Sequence, residues 1–67
     1  MKININGSIK EFKGKKITAE ELVSLLNLSG KRFAIEKNGE IISKNYFSGI
    51  YFSDGDKIEI IGAVGGG

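Results

Sequence analysis

The sequence predicts an α+β domain in which one helix packs across one face of a mixed β-sheet of four to five strands. The chain of 67 residues is long enough for one small domain. One segment has the apolar spacing of a three-turn helix, and short segments on either side of it have the character of strands. A lone amphipathic helix can bury its apolar face only against the sheet, which gives the α+β class.

The opening segment predicts a β-hairpin. Isoleucine and polar residues alternate over Met1–Asn6, as in a strand with one buried face. Asn6-Gly7 tolerates the positive φ values that a tight hairpin turn requires. The return strand is predicted over Ser8–Lys13, where the three-residue spacing of Ile9 and Phe12 breaks strict alternation. We therefore expect a bulge or an early end in this strand.

The segment after the hairpin predicts a helix over Ala19–Ser29, preceded by a connecting turn at Gly14-Lys15-Lys16. Thr18 and Glu21 form the S/T-x-x-E capping box, in which each side chain satisfies a backbone N–H at the helix start. The residues predicted to face inward are Leu22, Leu25, Leu26 and Leu28. Gly30 is placed to end the helix in the left-handed conformation.

The second half of the chain predicts the remaining strands. Their ranges are Phe33–Lys37, Glu40–Ile42, 50–52 and Lys57–Ile61. Asn38-Gly39 and Asp54-Gly55-Asp56 are turn sequences between them. The polar stretch 43–49 is predicted to be a loop with a single helical turn that carries Tyr46 and Phe47.

The order of these elements predicts how the sheet is connected. A hairpin that leads through a helix to later strands suits a mixed sheet whose first and last strands are parallel neighbours. This is the ubiquitin-like β-grasp arrangement, with the domain over 1–61 and a flexible Gly-Gly tail over 62–67. The predicted core consists of Ile3, Ile5, Leu22, Leu25, Leu26, Ile58 and Ile60.

Composition excludes several kinds of functional site. The chain has no Cys and no His, so disulfides, thiolate or imidazole metal ligands and a histidine general base are excluded. The net charge of +2 is too small to indicate nucleic-acid binding. No apolar run approaches the ~18–20 residues that span a bilayer, and no signal-peptide pattern opens the chain. We expect a cytoplasmic protein that is monomeric when free and binds no metal, cofactor, membrane or nucleic acid.

Three groups of side chains admit a functional interpretation beside a simpler one. Asp54 and Asp56 could hold a metal or act as acid and base, but Asp-Gly favours a turn. The basic clusters are more typical of a solvated surface than of an acidic partner's docking site; they comprise Lys13, Lys15, Lys16, Lys31 and Arg32. The aromatic residues are expected to divide between core and rim rather than stack on single-stranded nucleic acid; they are Tyr46, Phe47, Tyr51 and Phe52. No enzyme active site is predicted.

The glycines at 65–67 are the feature that predicts chemistry. Fully extended, 62–67 reach about 20 Å beyond the sheet at ~3.3–3.6 Å per residue. Because Gly65 and Gly66 lack Cβ atoms, they can thread a narrow channel in another protein. The carboxylate of Gly67 is a poor electrophile, so a partner must activate it, most simply as an acyl adenylate made from ATP, before a sulfur nucleophile can attack. A frayed chain end without function is the simpler alternative.

The last strand predicts a docking surface beside this tail. Ile58 and Ile60 are expected to point into the core, so Ile61 points outward with Glu59. Val64 lies just beyond, where no sheet is predicted to cover it. Exposed apolar residues next to a reactive tail indicate a surface that a partner covers, although scattered surface hydrophobicity is an equally good explanation.

Several motifs together identify a family. They are Asn38-Gly39-Glu40-Ile41-Ile42, the Asp54-x-Asp56 turn before Ile58-Glu59-Ile60, and Val64-Gly65-Gly66-Gly67. With these motifs the chain resembles, across essentially its whole length, the ThiS family of bacterial sulfur carriers of thiamine biosynthesis. The resemblance implies that a ThiF-type enzyme consumes ATP to adenylate Gly67. Cysteine-derived sulfur then forms a thiocarboxylate, which thiazole synthase uses.

The resemblance leaves alternatives open. Gly66 maps onto the obligatory neighbour of the acyl glycine, but many family members end in two glycines, so Gly67 could be the acyl position or be trimmed first. Carriers of the same fold also serve molybdopterin synthase as its small subunit, or cysteine and tRNA thiolation. From another class, a small interaction module with an incidental tail is the alternative.

Overall fold

The computed structural model describes residues 1–62. Its elements, in chain order, are β1 Lys2–Ile5, β2 Ser8–Glu11, β3 Lys16–Thr18, α1 Ala19–Leu25, β4 Phe33–Lys37, β5 Glu40–Ile42, a 3₁₀ turn Lys44–Tyr46, β6 Tyr51–Ser53 and β7 Lys57–Gly62. The predicted early end of the second strand, at Glu11, and the helical turn in the polar loop are both confirmed.

The main sheet has five strands in the order β2-β1-β7-β4-β5. β1 and β7 are parallel, with Ile5 opposite Ile58, and the other neighbouring strands are antiparallel. The predicted mixed sheet with its first and last strands side by side is therefore confirmed. Because β7 lies in the centre, its backbone is bonded on both sides.

The strand β3 is a correction to the sequence prediction, which made Gly14-Lys15-Lys16 a connecting turn. Lys16–Thr18 is a strand that pairs antiparallel with β6 in a separate two-stranded sheet. Ile17 lies opposite Phe52, and both side chains are buried. A three-residue strand with a single buried position is too short to show alternation, and only its partner, which is distant in sequence, defines it.

The start of α1 agrees with the prediction. The Glu21 N–H donates to Thr18 Oγ1 at 3.0 Å, and the Thr18 N–H donates to Glu21 Oε1 at 3.2 Å. Both halves of the capping box are therefore present, and two N–H groups without helical partners are satisfied.

The end of α1 differs from the prediction, because the helix stops at Leu25 rather than Ser29. Asn27 has φ 58°, and its N–H donates to the Ser24 carbonyl at 3.1 Å. The Leu28 N–H reaches back to the Val23 carbonyl at 2.9 Å. These two bonds form a Schellman motif, so Asn27 and not Gly30 occupies the left-handed position that ends the helix.

The core lies between α1 and the main sheet, and the small sheet closes one side of it. Its buried residues are Ile3, Ile5, Ile17, Ala19, Leu22, Val23, Ile35, Phe47, Phe52 and Ile58. Leu26 and Ile60 are partly buried against this cluster. The prediction was wrong for Leu25, whose side chain is 61% exposed. Leu25 lies roughly 110° around the helix from the centre of the face formed by Ala19, Leu22, Val23 and Leu26, at ~100° per residue.

Candidate functional site

The candidate site begins where the central strand ends, at Ile61 and Gly62, which we call the tail root. Both residues belong to β7, one residue longer than predicted, and they pair with Ala34 and Phe33 of β4. This pairing fixes the backbone of the tail root against β4. The predicted carrier and threading glycines Gly65, Gly66 and Gly67, and the predicted contact residue Val64, lie outside the described residues.

Asn6 holds β7 close to the tail root. Its side-chain Nδ2 donates to the Ile60 carbonyl at 3.2 Å, and its Oδ1 accepts from the Ile60 N–H at 2.7 Å. The amide thus continues the β1–β7 ladder past Ile5, where β1 itself has ended. From the sequence, Asn6 was predicted only as a turn residue, and Asn-Gly carries no signal for this second role.

At the opposite end of β7, the two neighbouring turns are held by side chains that the sequence predicted as turn residues. Asn38 Oδ1 accepts from the Lys57 N–H at 2.9 Å. Asp56 accepts from the Ser53 N–H at 2.8 Å, and Asp54 accepts from the Lys2 N–H at 2.6 Å. The turn interpretation of Asp54 and Asp56 is therefore confirmed, and among residues 1–62 there is no group of three or more acidic, His or Cys side chains placed to bind a metal.

One face of the main sheet is not covered by α1, and we call it the open face. Strand alternation puts Glu59 and Ile61 on this face, because Ile58, which precedes Glu59, is buried in the core and Ile60, between Glu59 and Ile61, packs against it. Ile61 is 48% exposed, as its predicted orientation requires. On the outer strands, Ile9 and Ile41 are exposed on the same face, opposite Asn4 and Glu36. The apolar side chains of the open face therefore lie at the tail root and at both edges.

The other side-chain groups weighed from the sequence adopt their simpler interpretations. The predicted basic residues are exposed, and the Lys16 ammonium lies 4.4 Å from the centroid of the Tyr51 ring. Among the aromatic residues, Phe47 and Phe52 are buried, whereas Tyr46 and Tyr51 are exposed. The predicted division between core and rim is confirmed.

The architecture defines a class of protein. A small β-grasp domain whose central strand leads directly into a glycine-rich segment has the arrangement of the ubiquitin-like carriers, in which the folded domain presents a tail to partner enzymes. The described residues supply hydrogen bonds that hold β7 and an open face beside the tail root.

Comparison with known proteins identifies the family within this class. The ThiS family matches residues 3–67. The sulfur carrier protein ThiS of Bacillus subtilis is 34% identical over 65 residues, covering 97% of this chain and 98% of the relative. The crystal structure of the thiamine biosynthesis protein ThiS from Geobacter metallireducens superposes with a TM-score of 0.86 at 29% identity, covering both chains completely. The chain belongs to the ThiS family.

A further relative is a much longer protein. The thiazole synthase of Paramagnetospirillum magneticum is 37% identical over 67 residues, which is 100% of this chain but 20% of that enzyme. The chain thus spans about a fifth of the length of this relative. Separately, none of the helices within residues 1–62 has the length and apolar character needed to cross a bilayer.

Proposed function

We propose that this chain carries sulfur on the carboxyl group of Gly67. As a member of the ThiS family, the chain is a sulfur carrier of thiamine biosynthesis and is acted on by enzymes rather than being one. The observation that carries the assignment to Gly67 is that the family match extends through residue 67 and so includes the Val64-Gly65-Gly66-Gly67 segment. The proposal requires a free carboxylate on Gly67 in the mature protein.

The chemistry proceeds in two steps, both catalysed by partners. The Gly67 carboxylate attacks the α-phosphorus of ATP, pyrophosphate leaves, and the acyl adenylate forms. Hydrosulfide released from a cysteine-derived donor then attacks the acyl carbon, and AMP leaves with the C–O bond electrons. The product is the thiocarboxylate of Gly67, and the proton of the hydrosulfide is released to solvent. Adenylation is needed because the ionised carboxylate has no adequate leaving group. The carrier itself binds no cofactor, and ATP is consumed at the partner's site.

The proposed partners are a ThiF-type adenylating enzyme, a cysteine-derived sulfur donor and thiazole synthase. The thiazole synthase of Paramagnetospirillum magneticum supports the last of these, because a segment similar to this entire chain is part of that enzyme. We place the free carrier in the cytoplasm as a monomer.

In the proposed function, the glycine tail carries the acyl group into the partner's active site, and Ile61 and Val64 contact the partner's surface. The five residues after Gly62 span up to about 17 Å when extended, so the acyl carbon can reach an active site well below a partner's surface. Gly65 and Gly66 fit a narrow channel because they lack side chains. Ile61 and Val64 are the proposed apolar contacts at the mouth of that channel.

A mass measurement tests this function. Incubation with the adenylating enzyme, ATP and the sulfur donor is expected to raise the protein mass by the difference between one sulfur and one oxygen atom. Deletion of Gly66 and Gly67 is expected to abolish this change while leaving the unfolding curve unaltered, because residues 1–62 alone contain the described core. A truncated protein that still acquires sulfur, or a full-length protein that never does, contradicts the proposal.

A further inference from the structure

Two glutamates face each other at the centre of the open face. Glu36 of β4 lies directly opposite Glu59 of β7 in the antiparallel register. Ile35, the neighbour of Glu36, is fully buried in the core, and so is Ile58 beside Glu59. Alternation therefore puts both carboxylates on the open face, where Glu59 is exposed and Glu36 is half-buried.

The other two glutamates of the main sheet lie opposite lysines and not opposite a carboxylate. Glu11 lies opposite Lys2, and Glu40 lies opposite Lys37, so each has a cation across the strand. Directly opposed side chains of the same charge repel each other, and the free protein loses stability as a result.

Lys57 offsets only part of this repulsion. It precedes Glu59 by two positions on the same face, and the register places it diagonally from Glu36, at ~7–8 Å between Cα atoms. One ammonium beside two carboxylates leaves an excess of negative charge in the middle of the open face.

The acidic pair lies beside the tail root. Glu59 precedes Ile61 by two residues, which is about 7 Å along the strand. An enzyme that holds Gly67 in its active site lies within about 17 Å of Gly62, because five extended residues reach no further. The surface of such an enzyme is therefore close enough to cover Ile61 and the acidic pair together.

We propose that the adenylating enzyme inserts a guanidinium or ammonium group between Glu36 and Glu59, while an apolar side chain beside it covers Ile61. A cation in this position converts the repulsion into two charge-assisted hydrogen bonds, which are stronger than bonds between neutral groups. The carboxylates thus lower the stability of the free carrier and raise its affinity for the partner. This inference rests on the proposed function, since it deepens the description of the first partner.

The experiment compares glutamine variants in two assays. Glu36→Gln, Glu59→Gln and the double variant are tested for thermal unfolding and for adenylation by the ThiF-type enzyme of the source organism, followed by pyrophosphate release. Glu11→Gln and Glu40→Gln are matched controls, because each removes a carboxylate from the same sheet that already has a lysine opposite it.

For the variants of the acidic pair, we expect Tm to rise and the affinity for the adenylating enzyme to fall. Each single variant is expected to raise Tm by about 1–8 °C at low ionic strength, and the gain shrinks at ~1 M salt, where the Debye length is ~3 Å. The double variant is expected to raise KM about tenfold, equivalent to about 1.4 kcal/mol, with kcat unchanged. The controls are expected to leave KM unchanged and to lower Tm or leave it unchanged.

The possible results distinguish a failure of the acidic-pair proposal from a failure of the proposed sulfur-carrier function. Adenylation of the wild type with an unchanged KM in the double variant overturns the inference alone, as does a Tm that does not rise. A dependence on the pair that appears only in binding to thiazole synthase, or in self-association, also overturns it. A wild-type protein that is never adenylated overturns the proposed function and the inference together.

Discussion

Asn6 contributes to the structure through its backbone and its side chain at once. Its backbone takes the left-handed conformation at φ 52° in the hairpin turn, and its amide bonds both polar backbone atoms of Ile60. The side chain therefore acts as an additional residue of β1 at the point where β7 approaches the tail root. Asn6 thus forms the hairpin turn and also holds β7 next to the tail root.

Replacement of Asn6 separates these two contributions. Asn6→Gly keeps the positive φ accessible but removes the amide, so we expect a loss of about 1–3 kcal/mol from two hydrogen bonds of ~0.5–1.5 kcal/mol each. Asn27→Gly is the matched control, because Asn27 also has a left-handed backbone, at φ 58°. Urea unfolding measures both variants. An equal loss in the two would assign the effect to backbone entropy instead of the amide.

Leu22 and Leu25 look equivalent in the sequence but differ in the structure. Leu22 is fully buried, whereas Leu25 is 61% exposed. We expect Leu22→Ala to lower the free energy of unfolding by about 2–5 kcal/mol, the usual range for a buried leucine. Leu25→Ala is expected to cost less than about 1 kcal/mol. Denaturant titration of the two variants checks this, and similar losses would mean that the helix packs on a different face.

At the scale of elements, local signals predicted the helix start and the strand β5 correctly but missed the helix end and the strand β3. The capping box of Thr18 and Glu21 is complete within four residues, so the sequence shows it directly. The end of α1 depends on Leu28, which packs against the core after the Schellman turn, and that burial is a tertiary effect. β3 exists only because β6, 35 positions away by the pairing of Ile17 with Phe52, lies beside it.

At the scale of the whole molecule, the two faces of the main sheet have different surroundings. α1 covers one face of the main sheet, and the open face carries the exposed Ile61 at the tail root. The central strand β7 contributes to both faces, because it supplies Ile58 to the core and Ile61 to the open face. The tail root thus belongs to a strand that is paired with β4 and continuous with the core.

If the partner contacts the open face at the tail root, a charge at Ile61 should weaken binding more than a charge at the sheet edge. Ile61→Asp is expected to weaken binding of the adenylating enzyme by about tenfold or more, because it places a carboxylate in the apolar contact. Ile9→Asp is the matched control, since Ile9 is exposed on the same face but on the edge strand β2. Calorimetric titration measures both affinities. If Ile61→Asp binds as tightly as the wild type, Ile61 lies outside the interface.

The sequence by itself determined the class of fold, the parallel neighbours in the sheet, the helix start and the outward direction of Ile61. The parallel neighbours follow from the order of the elements along the chain. The others follow from alternation, helical spacing and turn residues, which act over a few positions. Tertiary structure decided that Leu25 is exposed, that Ile17 is a strand residue, that Asn6 holds β7 and that Glu36 faces Glu59. Each of these depends on contacts between segments far apart in the chain, and the register that creates such contacts is a property of the assembled sheet and not of any one segment.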